Sequence, residues 1–128
     1  MNGTYTPVVQ DFTAYNDGRS DILFFTSGTG ADPLWQGKST GGFATSTRNI
    51  AASGTPLALT WTWGYLWIWN TSAPDVNWYV NTPSADYEQP AGDTELGAGY
   101  IPLIGNFAGT IDGIFWYKAG TAAEYLFI

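Results

Sequence analysis

The sequence contains no cysteine and no histidine, and only four of its 128 residues are basic. Without cysteine there can be no disulfide and no thiolate chemistry, and without histidine the commonest general base and metal ligand is missing. The net charge of −7 lacks the basic footprint that phosphate binding requires. We therefore expect neither a nucleic-acid partner nor attraction to an anionic membrane surface.

Long helical patterns are also missing, since no window keeps a 3.6-residue apolar period. Residues 1–4 show neither the basic nor the apolar stretch of a signal peptide. Residues 49–74 carry no charge, but Gly54, Pro56 and Gly64 interrupt them, so we expect no membrane span. Aromatic residues make up 17% of the chain, which also has 16 glycines and seven prolines, a composition typical of a tightly turned β protein.

A strand–turn–strand pattern occurs three times, most clearly at residues 21–35, DILFFTSGTGADPLW. It recurs at residues 112–127 and, in a more degenerate form, at residues 65–79. An apolar segment that begins with proline precedes each copy, at residues 7–9, 56–59 and 102–104. This internal repeat predicts an all-β fold of antiparallel, four-stranded, propeller-type blades, about three in the chain.

The repeats span about residues 6–53, 55–99 and 100–128 of one domain, residues 1–128. The third repeat stops after its third strand, and a weak fourth strand is expected within the second repeat. The expected strand pairs are residues 7–12 with 21–25, 57–63 with 65–69, and 102–107 with 113–117.

The first repeat carries a family resemblance. Pro7-Val8-Val9, then Asp11-Phe12, an Asp17-Gly18 loop and the strand at residues 21–25 together resemble the FG-GAP/VCBS-type repeats of β-propellers. Residues 29–35, TGADPLW, look like the continuation of that repeat. The third repeat matches less well, and the second matches only in spacing and aromatic strands. The resemblance implies a propeller blade used in binding or adhesion outside cells, often with calcium in the Asp-Gly loop.

Asp11, Asp17 and Asp21 are the candidate calcium ligands that this resemblance implies, because Ca²⁺ favours several oxygen ligands in a short turn. The segment from Asp11 to Asp17 is longer than the family pattern, however, and the other two repeats have incomplete ligand sets. The alternative is an Asx-rich turn whose side chains bind their own backbone, in which case no cofactor is needed.

Aromatic residues near loops suggest a glycan site, because a sugar ring can stack on an aromatic plane. Trp35, Trp78 and Tyr79 are the candidates. The alternative is that these rings pack between blades, as large strand residues do.

Catalysis is not expected. The 11 acidic residues are scattered through polar segments, and no spacing singles out a pair suited to glycoside hydrolysis. Residues 28–30, GTG, are not followed by lysine or a helix, so they do not form a phosphate-binding loop.

Two functional hypotheses remain open. In the first, the protein is a recognition module for glycans at the cell surface or outside cells. In the second, it is a structural subunit of a ring, filament or virion surface. Residues 125–127 form an apolar strand without a fourth strand to cover it, and three blades do not close a ring. Both features predict head-to-tail homo-oligomers.

Overall fold

The computed structural model describes residues 3–13, 17–59, 64–80, 88–90 (backbone only), 96, 98–107, 109, 112–120 and 123–127. This part of the chain contains eleven strands. No helix in it is long and apolar enough to cross a membrane. The strands form three separate antiparallel sheets, so the expected all-β fold is confirmed.

The first sheet contains β1 (Thr6–Gln10), β2 (Asp21–Phe25), β3 (Asp32–Gly37) and β4 (Phe43–Arg48) in chain order. Burial along β2 alternates, as expected for a strand that packs one face against a core. The fourth strand is mostly exposed, in keeping with its threonine and serine residues.

The second and third sheets repeat this order. The second sheet contains β5 (Thr55–Leu57), β6 (Tyr65–Trp69), β7 (Val76–Tyr79) and β8 (Glu88–Pro90). The third contains β9 (Ile101–Gly105), β10 (Gly113–Tyr117) and β11 (Tyr125–Phe127). The weak fourth strand expected in the second repeat corresponds to β8.

The expected strand pairs agree with the observed registers in the first and third sheets, where residues 6–10 pair with 21–25 and residues 101–105 pair with 113–117. In the second sheet the expected pair is wrong: only Leu57 of residues 57–63 pairs with β6, because β5 covers residues 55–57 and the described residues 58–59 are not in a strand. Residues 60–63 of the expected strand lie outside the described residues. The three sheets are not shown as a closed propeller.

Two apolar clusters join the sheets into a stack. One combines Leu23 and Phe25 of the first sheet with Leu66 and Ile68 of the second. The other combines Trp67 and further residues of the second sheet with the third sheet. The central residues of β6 are therefore buried on both faces. The first and third sheets each bury one face in the packed contact with the second sheet, and we call each such contact a joint.

Gly54 permits the close approach of the linker between the first two sheets. Its φ is +145°, and a Cβ atom there would lie 2.3 Å from the carbonyl oxygen of Trp69. No other residue type fits this position without moving the backbone of β6.

Candidate functional site

Each sheet presents the same strand positions to the next sheet. Side chains alternate across a strand, so Val8, Leu23 and Leu34 share the face of the first sheet that packs on the second. The corresponding face of the second sheet, with Leu57 and Trp67, packs on the third. We call this the forward face of a sheet, and we call the opposite face the rear face.

The rear faces carry equivalent apolar pairs where the second and third strands meet. The registers join Ile22 to Trp35, Leu66 to Trp78, and Ile114 to Phe127. Leu66 and Ile114 are fully buried against the sheet that precedes theirs in the chain, and Trp78 is 5% exposed. Ile22 and Trp35 remain half-buried. The rear face of the first sheet thus has the composition of a joint but is only partly covered.

An aromatic row runs across this first-sheet rear face, which we define by Pro7, Val9, Ile22, Phe24, Trp35 and Phe43. The ring centroids of Phe24 and Trp35 lie 5.1 Å apart in an edge-to-face arrangement, and those of Trp35 and Phe43 lie 5.7 Å apart. Val9 is 56% exposed and Phe43 is 41% exposed. The row is an ordered apolar surface that could hold a ligand or another sheet.

The forward face of the third sheet is the second open surface, and we define it by Ile101, Leu103, Phe115, Tyr117 and Leu126. Its registers join Phe115 to Leu103 and to Leu126, the positions that Leu23, Val8 and Leu34 occupy in the first sheet. Leu34 and Leu23 are fully buried, whereas Leu103 and Leu126 are 46% and 48% exposed. The same positions are core in one sheet and surface in the other.

Phe107 folds back onto this third-sheet forward face. Its ring lies over Gly105, where an added Cβ would lie 3.3 Å from the ring, and its centroid is 6.4 Å from that of Phe115. Phe107 is itself 50% exposed. It therefore fills the hollow at Gly105 without closing the surface.

Two polar side chains form hydrogen bonds across the joint between the first and second sheets. Gln10 donates from Nε2 to the carbonyl oxygen of Tyr65 at 2.7 Å and accepts at Oε1 from the N–H of Leu59 at 3.1 Å. Arg48, 3% exposed, donates from Nε to the carbonyl oxygen of Val80 at 2.6 Å. Burial lowers the pKa of Arg48. Sequence reasoning missed these contacts, because their partners lie 32 to 55 residues away.

The structure brings Asp11, Asp17 and Asp21 into one loop region but directs their oxygens to local donors. Asp11 accepts from the backbone N–H groups of Thr13 and Gly18, at 3.0 and 2.9 Å. Asp17 accepts from the backbone N–H of Arg19 and pairs with its guanidinium. This is the Asx-rich turn that the sequence offered as the alternative.

Asp21 is 1% exposed and accepts one backbone N–H at each oxygen, from Phe12 and from Gly37, both at 2.9 Å. Burial raises its pKa above the usual value, against the opposite effect of these hydrogen bonds, while Asp11 and Asp17 add to the increase. Among the described residues, no group of three acidic side chains is arranged to hold a metal ion. The carboxylate oxygens of Asp11, Asp17 and Asp21 accept hydrogen bonds from backbone N–H groups, and the calcium site stays a prediction of the resemblance.

Asp32 performs the same task at the other end of the first sheet. It is fully buried, and its oxygens accept from the N–H groups of Thr26 at 2.7 Å and Ile50 at 2.8 Å. Burial raises its pKa as well. Asp75 holds the equivalent place in the second sheet and accepts from the N–H of Asn70 at 2.8 Å. These carboxylates fix the turns that follow β2 and β6.

The three glycan candidates lie on three different sheet faces. Trp35 is half-buried on the first-sheet rear face. Trp78 packs in the core between the first and second sheets, where its ring has no free side for a sugar. Tyr79 is half-buried beside Tyr65, with ring centroids 5.4 Å apart. The structure does not bring them together into one platform.

No family model, no curated protein and no solved structure matches the chain.

Proposed function

We propose that the protein is a non-enzymatic assembly module whose copies associate head to tail. In this proposal the third-sheet forward face of one copy packs on the first-sheet rear face of the next. The observation that carries the proposal is the equivalence of these two exposed faces to the faces that are buried within the chain. A contact between copies would continue the stacking that already joins the three sheets.

The distribution of exposed apolar side chains supports this contact. Among the described residues, the large apolar side chains that are well exposed all lie in or beside the first and third sheets: Val9, Phe43, Ile101, Leu103, Ile104, Phe107, Tyr117, Tyr125 and Leu126. The second sheet, which has a neighbour on both faces, contributes none. Exposed apolar surface concentrated at two ends is typical of surfaces that become buried on association.

Charge supports the same contact. The second repeat, residues 55–99, has five acidic residues and no basic residue. The first repeat has four acidic and three basic residues, and the third has two and one. The two ends are thus nearly neutral, so repulsion between copies is small where they would meet. The acidic middle repeat would keep the assembly soluble.

Glycan recognition is the second candidate, and the half-buried Trp35 in its aromatic row favours it. The two candidates compete for one surface, because a stacked copy would cover Trp35. The resemblance to propeller repeats favours a setting outside cells for either role, with a virion surface as the alternative for an assembly subunit.

Complementary charged variants test the assembly. Val9→Asp places a charge on the first-sheet rear face, and Leu103→Asp places one on the third-sheet forward face. Both positions are about half exposed, so both variants should fold. Each variant alone should be monomeric because it lacks one working face, but an equimolar mixture should form dimers through the two intact faces.

Sedimentation velocity would measure the masses, and Thr40→Asp, on an exposed turn, is the matched control that should assemble like the unmodified chain. A mixture that stays monomeric, while the unmodified chain assembles, would rule out the head-to-tail contact. A change in tryptophan fluorescence when oligosaccharides are added to the monomeric Leu103→Asp variant would favour the glycan role instead.

A further inference from the structure

The first sheet has an open edge at β4, its fourth strand. Among the described residues, β4 pairs only with β3, and the register between the two strands is continuous, without a bulge, over the whole of β4. Most of its residues are exposed, namely Phe43, Ala44, Thr45 and Thr47. β4 lies within the first repeat, so this edge is not created by the start or the end of the sequence.

Hydrogen bonds at the end of β3 show which backbone groups of β4 are directed outward. The N–H of Gly37 donates to Oδ1 of Asp21, toward β2, at 2.9 Å, whereas the N–H of Lys38 donates to the carbonyl oxygen of Gly42, toward β4, at 3.1 Å. Because this direction alternates along a strand, the even-numbered residues of β3 and β4 bond to each other. The groups that β4 directs outward are therefore those of its odd-numbered residues, Phe43, Thr45 and Thr47.

This edge lacks the features that usually keep strand edges apart. Residues 41–47, GGFATST, contain no charged residue and no proline. Arg48, the one charged residue of β4, is 3% exposed and donates to the carbonyl oxygen of Val80 in the second repeat. β8, the fourth strand of the second sheet, has the sequence EQP and so carries both a charge and a proline. Since charge and proline discourage edge pairing, the β4 edge is the less protected of the two.

The outward residues of β4 are complementary to themselves. When two copies of β4 run antiparallel with Thr45 of one copy opposite Thr45 of the other, Phe43 of each copy lies opposite Thr47 of the other. All three outward residues then face outward residues, and each pair can exchange two backbone hydrogen bonds. Phe43 is 41% exposed, and an aromatic ring opposite a β-branched residue is a favourable cross-strand pair. Ala44 and Ser46, which also lie opposite each other, are small and uncharged.

We infer that two copies pair antiparallel through the outer edges of β4 and join their first sheets into one continuous sheet. The contact is isologous, because the same edge serves both copies. It involves only the six residues of β4 in each copy, and interfaces this small are weak, so we expect a Kd on the order of 0.1–1 mM. Chains that do not stack therefore remain single at micromolar concentrations. The contact uses an edge and not a face, so it does not depend on head-to-tail stacking.

Dimerisation of the full chain with Leu103→Asp tests the contact, because this substitution removes stacking if our proposed function is correct. Sedimentation equilibrium from micromolar to low-millimolar concentrations should show a change from 13.9 kDa to twice that mass. Thr45→Pro removes an outward N–H but no hydrogen bond to β3, so the variant should fold and dimerise at least about tenfold more weakly. Thr40→Asp, on an exposed turn, is the matched control and should dimerise like its parent.

Charges at Thr45 test the register, because the pairing places this residue opposite itself. Thr45→Lys and Thr45→Glu, each in the Leu103→Asp chain, should dimerise more weakly than the parent when alone, since like charges face each other. An equimolar mixture should form the mixed dimer at least as well as the parent forms its own. Hydrogen exchange of the outward amides, at Phe43, Thr45 and Thr47, should also slow as the concentration of the parent rises.

Three results would each overturn the pairing: no dimer of the Leu103→Asp chain up to low-millimolar concentrations, undiminished dimerisation of the Thr45→Pro variant, or no gain on mixing the lysine and glutamate variants. Head-to-tail stacking is judged separately, by the mass of the unmodified chain at micromolar concentrations. A failure of the edge contact is thus distinguishable from a failure of stacking.

Discussion

The first and third sheets share a strand order and registers over their first three strands, but the forward face of the first sheet is buried and that of the third is exposed. In the first sheet, Gln10 and Asp21 face each other across β1 and β2 and reach into neighbouring backbone. The corresponding pair in the third sheet is Gly105 and Gly113, which have no side chains to do so. The repeat sets the backbone, and side chains such as Gln10 determine which sheet forms polar contacts with its neighbour.

The two joints between sheets differ in the same direction. The first joint has the Gln10 and Arg48 hydrogen bonds to the backbone of the second repeat, at Tyr65 of β6 and at Leu59 and Val80 outside its strands. In the second joint, Trp69 and Trp116 pack with ring centroids 5.2 Å apart. Both indole N–H groups are buried without a hydrogen-bond partner in the described structure. Trp78 in the first joint also has a buried indole N–H without a partner in the described structure, so the hydrogen bonds of Gln10 and Arg48 are what distinguish the first joint from the second.

The largest contrast in stability should be between the equivalent leucines Leu34 and Leu126. Leu34→Ala should lower the free energy of unfolding by roughly 2–5 kcal/mol, because the side chain is fully buried. Leu126→Ala should lower it by less than about 0.5 kcal/mol in the monomeric Leu103→Asp background, because the side chain is about half exposed. Urea denaturation of both variants checks the contrast, and similar losses would mean that Leu126 is core.

The second-largest contrast in stability should be between Asp32 and Glu124, which the registers place at corresponding positions of the first and third sheets. Asp32→Ala leaves the N–H groups of Thr26 and Ile50 without acceptors and should cost roughly 2–4 kcal/mol. Glu124→Ala, at an exposed position, should be nearly neutral. Thermal and urea unfolding measure both. A small effect of Asp32→Ala would show that the turn after β2 does not need the carboxylate.

The pH dependence of stability that Asp32 produces should be a smaller effect. Burial raises the pKa of Asp32, so the folded protein binds that proton more tightly than the unfolded chain does. The resulting stability is fully present below the unfolded pKa and is lost as the pH rises through the folded pKa. The stability of the unmodified chain relative to Asp32→Asn should therefore increase as the pH falls from neutrality.

Urea unfolding at a series of pH values, in the Leu103→Asp background, would measure this difference. If the stability of the unmodified chain relative to Asp32→Asn instead increases as the pH rises, the two backbone hydrogen bonds outweigh burial in their effect on the pKa of Asp32.

Calcium should have the smallest effect. The oxygens of Asp11, Asp17 and Asp21 accept local N–H donors, so a chelator should leave the melting temperature nearly unchanged. Differential scanning fluorimetry with EDTA and with added Ca²⁺ is sufficient. A fall of several degrees with EDTA that Asp21→Ala abolishes would restore the calcium interpretation.

Sequence reasoning predicted the strand order, the strand pairs of the first and third sheets and the incomplete third sheet, because the repeat at Pro7, Pro56 and Pro102 marks the start of each copy. It placed the first strand of the second sheet at residues 57–63, whereas β5 covers residues 55–57. It could not place side chains whose surroundings come from another sheet. Trp78 follows a loop in the sequence, yet the first sheet buries it. Trp35, at the equivalent position, stays half-buried because no preceding sheet covers it.

The mass of the unmodified protein in solution tests the head-to-tail account most directly. Light scattering over a micromolar concentration series should give multiples of 13.9 kDa that increase with concentration. The Val9→Asp and Leu103→Asp variants should each return the mass to that of one chain. A folded, soluble species of 13.9 kDa at every concentration of the unmodified chain would contradict the account.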